Sequence, residues 1–159
     1  MAVPSSGRSV AAQRAEVLEQ VPFLVGLPRW IIVAMAEMLY EREYQPGEYV
    51  FYQGDPALGM YVVKTGHLAC EQTSLETEMV QRVGQMQSGE AVGARALLGD
   101  YRRPFSAQAT EQTVVLAFFR PALRALMARQ PRAAAEIMAA IARHVAAQVP
   151  DERMTEMSV

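Results

Sequence analysis

The sequence predicts an α+β protein that is mainly β: an antiparallel β jelly-roll barrel with N-terminal helices and two C-terminal helices. Residues 10–42 and 120–149 carry apolar side chains at helical spacing. Residues 43–119 are instead a series of short apolar segments separated by turn signals. Regular short turns with no helix-length segment between them favour an antiparallel barrel or jelly roll.

The length of 159 residues suits one domain. We expect residues 1–9 to be a disordered start, residues 10–149 to form the domain and residues 150–159 to be a tail. Within the domain, the predicted parts are a helical lead-in (10–42), the β-barrel (43–119) and the C-terminal helices (120–149).

The lead-in divides into two helices. The first covers Val10 to Gln20, and "VPFLVGLP" interrupts it with two prolines and a glycine. The run "RWIIVAMAEMLYER" then predicts an amphipathic helix of about three turns. Its predicted apolar face holds Trp30, Ile31, Ala34, Met35, Met38 and Leu39.

The barrel region contains six strand-length pieces rich in β-branched and aromatic residues. They are "YVFYQ", "MYVVK", "HLACEQ", "EMVQRVGQMQ", "FSAQAT" and "TVVLAFF". In the turns between them, Gly47, Gly54 and Gly66 are expected at positive φ, which other residues adopt only at a cost.

Two helices follow the barrel. Pro121 and Pro131 stand near their starts, where a missing N–H costs little. The second helix carries a stripe of Ile137, Ile141 and Val145 with small alanines alongside. The stripe favours a homodimer interface, since small residues allow close helix approach; the alternative is that it packs on its own barrel.

Composition excludes several classes of function. A net charge of −2 argues against nucleic-acid binding, and the closing "PDERMTEMSV" is too short and acidic to read DNA. The start does not resemble a secretory signal, and charges interrupt the Ala-rich stretch near the end, so neither export nor a membrane span is expected. A single cysteine suits a reducing compartment, which we take to be the cytoplasm.

No enzyme is predicted either. Two histidines, His67 and His144, cannot supply a metal triad of the cupin kind. No serine has a plausible His/Asp arrangement, and no Walker-type loop is present. Cys70 lies among alternating strand residues and is interpreted as an inert small hydrophobe.

The order of elements and the turn residues resemble the cyclic nucleotide-binding domain family, found in catabolite-activator-type regulators, protein kinase A regulatory subunits and gated channels. The resemblance spans roughly residues 21–147. In "YQPGEYVFYQGDPALGMYVVKTGHL", the residues that match the family pattern are Pro46, Gly47, Gly54, Asp55, Tyr61, Val63 and Gly66.

The family's ligand-binding cassette corresponds to residues 80–109, "VQRVGQMQSGEAVGARALLGDYRRPFSAQA". The resemblance implies that a cyclic phosphate lies at the N-terminus of a small helix around residues 96–98, where free N–H groups favour an anion. It also implies that Arg103 neutralises the phosphate. The candidate ligand-binding residues are Gly93, Ala94, Arg95, Ala96, Leu97, Arg103, Pro104 and Phe105.

Three positions depart from the family pattern. Family members that bind cyclic nucleotides carry a glutamate for the ribose hydroxyl where this chain has Ala94, and Pro104 lacks the N–H usually offered to the phosphate. Phe105 stands where a small residue makes room. The two lost bonds together cost on the order of 2–6 kcal/mol, which would weaken ordinary cyclic AMP binding at least thirty-fold, roughly.

Three of the candidate residues, Arg103, Arg95 and Phe105, have an alternative interpretation. Arg103 could be a surface ion-pair partner of Asp100, and a one-residue slip would make Arg102 the anion ligand, although alternation through Ala107 and Ala109 favours Arg103. Arg95 is either a replacement ligand contact or a solvated helix charge. Phe105 either fills the pocket or is an ordinary core aromatic.

The resulting expectation is a free-standing regulatory or sensor domain. It would bind cyclic AMP, cyclic GMP or another phosphate-bearing small molecule and relay binding through the C-terminal helices from Arg120 onward. The alternative is a degenerate member that binds no nucleotide and serves as a protein-interaction or dimerisation scaffold for an unidentified partner.

Overall fold

The computed structural model describes residues 9–148, so the predicted tail and all of the predicted start except Ser9 lie outside the described residues. Two four-stranded antiparallel sheets form its centre, with helices before and after them in the chain. No helix within the described range is both long and apolar enough to cross a membrane.

The helical lead-in begins with α1 (Val10–Leu18), whose first turn is capped by Ser9: its hydroxyl accepts from the Ala12 N–H at 3.1 Å. A 3₁₀ turn (Pro22–Leu24) follows, and then α2 (Arg29–Ala36). The predicted break at "VPFLVGLP" is therefore confirmed.

Helix α2 is shorter than predicted. It ends at Ala36, and Tyr40–Tyr44 forms strand β1, which pairs residue by residue with the last strand of the sheet. The prediction of helix through Arg42 is wrong because this five-residue pairing with a buried neighbour outweighs local helix propensity. Trp30, predicted on the apolar face, is 47% exposed and stacks under Arg132 instead.

All six predicted strand pieces are strands. After β1, the strands are β2 (Tyr49–Phe51), β3 (Gly59–Thr65), β4 (His67–Thr73), β5 (Val80–Gln87), β6 (Ala91–Val92), β7 (Ser106–Ala109) and β8 (Thr113–Phe119). One sheet has the order β1-β8-β3-β6 and the other β2-β7-β4-β5. Within residues 9–148 the two sheets form a jelly-roll-like sandwich without closing into a barrel, which confirms the predicted mainly β, antiparallel jelly-roll fold class.

The three turn glycines have the predicted backbone. Gly47, Gly54 and Gly66 have φ of 91°, 87° and 96°. At Gly66 a side chain would also overlap Thr113, whose hydroxyl accepts from the His67 N–H at 3.0 Å. This turn needs glycine for both conformation and space.

The interior consists of two apolar clusters. One fills the space between the sheets, with Val63 and Val115 from the first sheet facing Leu68 and Ala107 from the second. The other lies between the helices and the opposite face of the first sheet, where Phe118 is fully buried. The first sheet is therefore covered on both faces, by the second sheet on one side and by the helices on the other.

Two helices follow the last strand, α3 (Arg120–Arg129) and α4 (Pro131–Gln148), as predicted. Ile137 and Ile141 are completely buried against the chain's own helices and first sheet, and Val145 packs partly buried against the same cluster. Assigning this stripe to a dimer face is therefore wrong, because the stripe already covers its own core. The homodimer itself stays a prediction.

Candidate functional site

The cassette folds as a strand end, a turn, a short helix and a loop that leads into β7. Gly93 has φ of 84° and precedes a 3₁₀ helix at Ala94–Leu97, slightly before the helix expected around residues 96–98. Ala96 and Leu97 face inward and are 0% and 6% exposed, so they anchor this short helix in the core. The backbone at Gly93 is left facing the loop that carries Arg103.

Arg103 is a buried cation, only 4% exposed. Its Nη2 donates to the Gly59 carbonyl at 2.7 Å, and its guanidinium carbon lies 4.3 Å from the centroid of the Phe51 ring. Arg102 is exposed and its Nη1 donates to the Gly54 carbonyl at 3.1 Å, so the arginine that lies against the cassette glycine is Arg103. The surface ion pair with Asp100 is wrong, since that carboxylate contacts Arg120 at 3.3 Å.

The other terminal nitrogen of Arg103 has an unmet hydrogen-bonding capacity. Nη1 is buried and has no hydrogen-bond partner in the structure. It lies against Gly93, where even a Cβ atom would overlap it. Burial lowers the pKa of Arg103, but a guanidinium stays protonated in proteins, so this is a buried positive donor without an acceptor. Leaving such a donor unpaired costs about 1–3 kcal/mol or more.

Gly93 also lines a cavity of about 330 Å³, and Arg103 is not among the residues that line it. This volume is at the lower end of the range for small-molecule sites. Four of the eight candidate residues line the cavity: Gly93, Ala94, Arg95 and Phe105. The remaining lining residues come from β4, β5, β6, the cassette turn, Tyr101 and the last turns of α4.

The other four candidates lie outside this lining. Ala96 and Leu97 belong to the core, and Arg103 lies behind Gly93. Pro104 is exposed, and its carbonyl accepts from Gln72 Nε2 at 2.9 Å. Gly93 thus adjoins both the cavity and the buried cation.

Phe105 and Arg95, for which the sequence left two interpretations open, both line the cavity. Phe105 is half-buried, and its ring centre lies 5.9 Å from that of Phe51. It forms part of the cavity wall but does not fill the cavity. Arg95 is exposed at the cavity mouth, and its guanidinium lies 5.3 Å from the centre of the Tyr101 ring.

Sequence reasoning missed several cavity residues. Among them are Glu90, Tyr101 and two residues of α4, His144 and Gln148. His144 stacks on Phe23 at 4.2 Å, and partial burial lowers its pKa. The α4 positions had no local signal, because only the packing of α4 over the cassette brings them to the cavity.

Cys70 also lines the cavity, although its side chain is almost fully buried. Burial raises the pKa of this thiol to about 11, which agrees with its interpretation as an inert hydrophobe. Within residues 9–148, no three His, Cys, Asp or Glu side chains are grouped so that they could hold a metal ion.

One loop joins the buried cation to the C-terminal helices. Arg103 holds it at the Gly59 carbonyl. The neighbouring Ala57 and Leu58 carbonyls accept from Arg120, from its Nη2 at 2.7 Å and its backbone N–H at 3.2 Å. Because Arg120 is the first residue of α3, three consecutive residues connect Arg103 with the start of that helix.

Curated proteins with similar sequences include a protein kinase regulatory subunit and a cyclic AMP receptor protein. The cAMP-dependent protein kinase type II regulatory subunit of Drosophila melanogaster is 32% identical over 103 residues, 65% of this chain and 27% of that protein. The cyclic AMP receptor protein of Thermus thermophilus is 35% identical over 104 residues, 65% of this chain and 48% of that protein. The chain therefore spans about a quarter to a half of these relatives.

Solved structures share the fold. The N-terminal domain of a transcriptional regulator from Streptomyces coelicolor A3(2) superposes with a TM-score of 0.74 at 22% identity, covering 85% of this chain and 98% of that one. The catabolite activator protein of Thermus thermophilus gives a TM-score of 0.66 at 30% identity, covering 86% and 62%.

A family model described as the cyclic nucleotide-binding domain matches residues 41–130, which are 90 of the 159 residues and include every strand after the start of β1. The match contains the whole cassette and Arg103. It also covers the three turn glycines, Gly47, Gly54 and Gly66. This chain therefore belongs to the cyclic nucleotide-binding domain family.

Proposed function

We propose that this chain is a regulatory domain that binds a cyclic nucleotide, cyclic AMP or cyclic GMP, in the 330 Å³ cavity, with Arg103 as the phosphate ligand. The observation that carries the proposal is the buried, unpartnered Nη1 of Arg103 beside Gly93. A phosphate oxygen would satisfy this donor with a charge-assisted hydrogen bond, one of the stronger kinds in proteins. The names of the two curated relatives point to the same class of ligand.

Binding requires a small local movement. Nη1 is sealed from solvent, and Arg103 does not line the cavity. The backbone around Gly93 must shift, or the guanidinium must turn past it, for the two to meet. Glycine allows this, since it has no side chain to block the guanidinium and moves freely between backbone regions.

The same movement supplies a relay. A guanidinium that turns toward a phosphate loses its bond to the Gly59 carbonyl, which frees one end of the loop held by Arg120 at the start of α3. Helix α4 responds as well, because His144 and Gln148 line the cavity. Ligand affinity then differs between two arrangements of these helices, which is what a regulatory domain needs.

The test is isothermal titration calorimetry with cyclic AMP and cyclic GMP on the full chain and on two arginine variants. Arg103→Lys is expected to weaken binding about 10-fold to 150-fold, the equivalent of one charge-assisted bond. The matched control is Arg102→Ala, which removes the adjacent exposed arginine and should change affinity less than threefold, about the effect of a surface charge. Equal losses in the two variants would contradict the site assignment.

A gain-of-affinity variant tests the missing ribose contact. Ala94 lines the cavity where family members that bind cyclic nucleotides carry a glutamate. Ala94→Glu should therefore tighten cyclic nucleotide binding by about 1–3 kcal/mol, roughly 5-fold to 150-fold, if the ribose lies there. Unchanged affinity would place the ribose elsewhere.

A scaffold that binds no nucleotide is the second candidate. Ala94 and Pro104 favour it, because neither can make the polar contact expected at its position. This candidate predicts no heat and no thermal stabilisation at millimolar cyclic nucleotide, for the natural chain and for Ala94→Glu alike.

A further inference from the structure

A second concave surface lies away from the cassette cavity, where β1 meets the start of α3. We call it the arginine-rimmed groove; its volume is about 600 Å³. Apolar and aromatic side chains form its floor, and three arginines stand around it. The residues on which the argument rests are Tyr40, Leu58, Phe119, Arg42, Arg120 and Arg124.

The groove is positively charged although the whole chain is slightly acidic. No aspartate or glutamate lines it. Within residues 9–148, neither Arg42 nor Arg124 has a carboxylate partner, and Arg120 has only the fully exposed Asp100 at 3.3 Å. Arg42 lies over the Phe119 ring at 5.5 Å, which holds its charge above the apolar floor.

The floor has the composition of a protein-binding surface. Tyr40 and Leu58, which both line the groove, are 60% and 62% exposed, so a partner has apolar surface to cover there. Tyrosine, phenylalanine and arginine are enriched at protein interfaces, while lysine and acidic residues are depleted, and this lining has neither. A concave site suits an inserted side chain better than a flat membrane, and a net charge of −2 disfavours a nucleic acid.

We propose that the arginine-rimmed groove binds an acidic peptide segment of a partner protein, with one apolar side chain seated between Tyr40, Leu58 and Phe119. Carboxylates on either side of that anchor pair with Arg42 and Arg124, whose planar guanidiniums suit bidentate bonding to carboxylates. The groove shares no lining residue with the cavity, although Leu58 and Arg120 also belong to the proposed relay from Arg103.

The test uses the ¹⁵N-labelled 159-residue chain titrated with a capped octapeptide that has two glutamates on each side of one phenylalanine, the rest being serine. We expect saturable chemical-shift changes at residues of the groove and affinity that falls with added salt. Replacing the phenylalanine by serine, or the glutamates by lysine, should each lower affinity at least tenfold. Binding of all three peptides alike, or of none up to 5 mM, roughly the weak limit of specific recognition, would overturn the proposal.

Charge-matched variants separate the groove from general electrostatics. The double variant R42A/R124A should lower affinity for the acidic peptide about tenfold or more, and Leu58→Ser should lower it by a similar factor. The control R82A/R129A removes the same charge at exposed positions outside the groove and should change affinity less than twofold. Equal losses in the two double variants would overturn the proposal.

A parallel titration uses vesicles of phosphatidylserine and phosphatidylcholine. Vesicle binding that R42A/R124A abolishes, without peptide binding, would assign the groove to anionic lipid and overturn the peptide proposal. Peptide binding without vesicle binding supports it.

Discussion

Gly93→Ala is expected to destabilise the domain by about 2.5–5 kcal/mol, although it adds only one methyl group. The backbone of Gly93 has φ of 84°, and a side chain in this region costs about 1–2 kcal/mol. The new Cβ would also overlap Arg103 Nη1. The guanidinium would have to leave the Gly59 carbonyl, and the loss of a hydrogen bond made by a charged group costs about 1.5–3 kcal/mol more.

Gly47→Ala is the matched control. Gly47 has φ of 91°, but a Cβ there meets nothing within 4 Å, so only the backbone cost of about 1–2 kcal/mol applies. Urea denaturation followed by circular dichroism measures both variants. The difference of about 1.5–3 kcal/mol corresponds to melting temperatures about 3–12 °C apart. In the Arg103→Ala background most of the excess cost at Gly93 should disappear, because the obstructing guanidinium is gone and only the Gly59 carbonyl oxygen, 3.1 Å from the new Cβ, stays close. Equal destabilisation by the two glycine substitutions would refute the reasoning.

Three further outcomes are expected. Cys70 is the only cysteine, and burial raises the pKa of its thiol to about 11. It should therefore resist iodoacetamide at pH 8 while the chain is folded and react fully in urea. Labelling at the same rate in both states would contradict its burial. Partial burial lowers the pKa of His144 from the usual 6.5, so the unfolded chain binds a proton at this histidine more readily than the folded chain does. The free energy of unfolding should therefore decrease as the pH falls below 6.5. The melting temperature of His144→Phe should depend less on pH in that window, and an identical profile would exclude His144 as the cause. Ile141→Ala should lower the free energy of unfolding by about 2–5 kcal/mol at every protein concentration, whereas Trp30→Ala should lower it by less than about 1 kcal/mol. A loss at Ile141 that depends on protein concentration would indicate that Ile141 lies in a dimer interface.

Local patterns were enough to predict most elements. Alternation and turn residues predicted β2 to β5, β7 and β8, and the positive φ of Gly47, Gly54 and Gly66 followed from turn chemistry. The same patterns failed at Tyr40–Arg42, where the sequence continues a helical period but the chain pairs with β8. A residue's neighbours in sequence do not report its pairing partner more than seventy residues away.

The stripe on α4 shows a second kind of failure. Its spacing correctly predicted one apolar face, but spacing does not specify what covers that face. Ile137 and Ile141 are buried in their own chain because α1, α2 and the first sheet present a matching apolar surface, and that surface exists only after folding.

For this protein the sequence alone determined the jelly-roll pattern, the position of the cassette and the identity of Arg103 as the candidate cation. The jelly-roll pattern depends on periodicity and turn chemistry, which act over a few residues. The position of the cassette and the role of Arg103 were implied by the resemblance to the cyclic nucleotide-binding domain family. Only the tertiary structure decided that Arg103 is buried with a free Nη1 behind Gly93, that His144 and Gln148 reach the cavity, and that three arginines rim a separate groove. Such arrangements join segments distant in the chain, and burial and unmet hydrogen bonds become defined only when those segments pack.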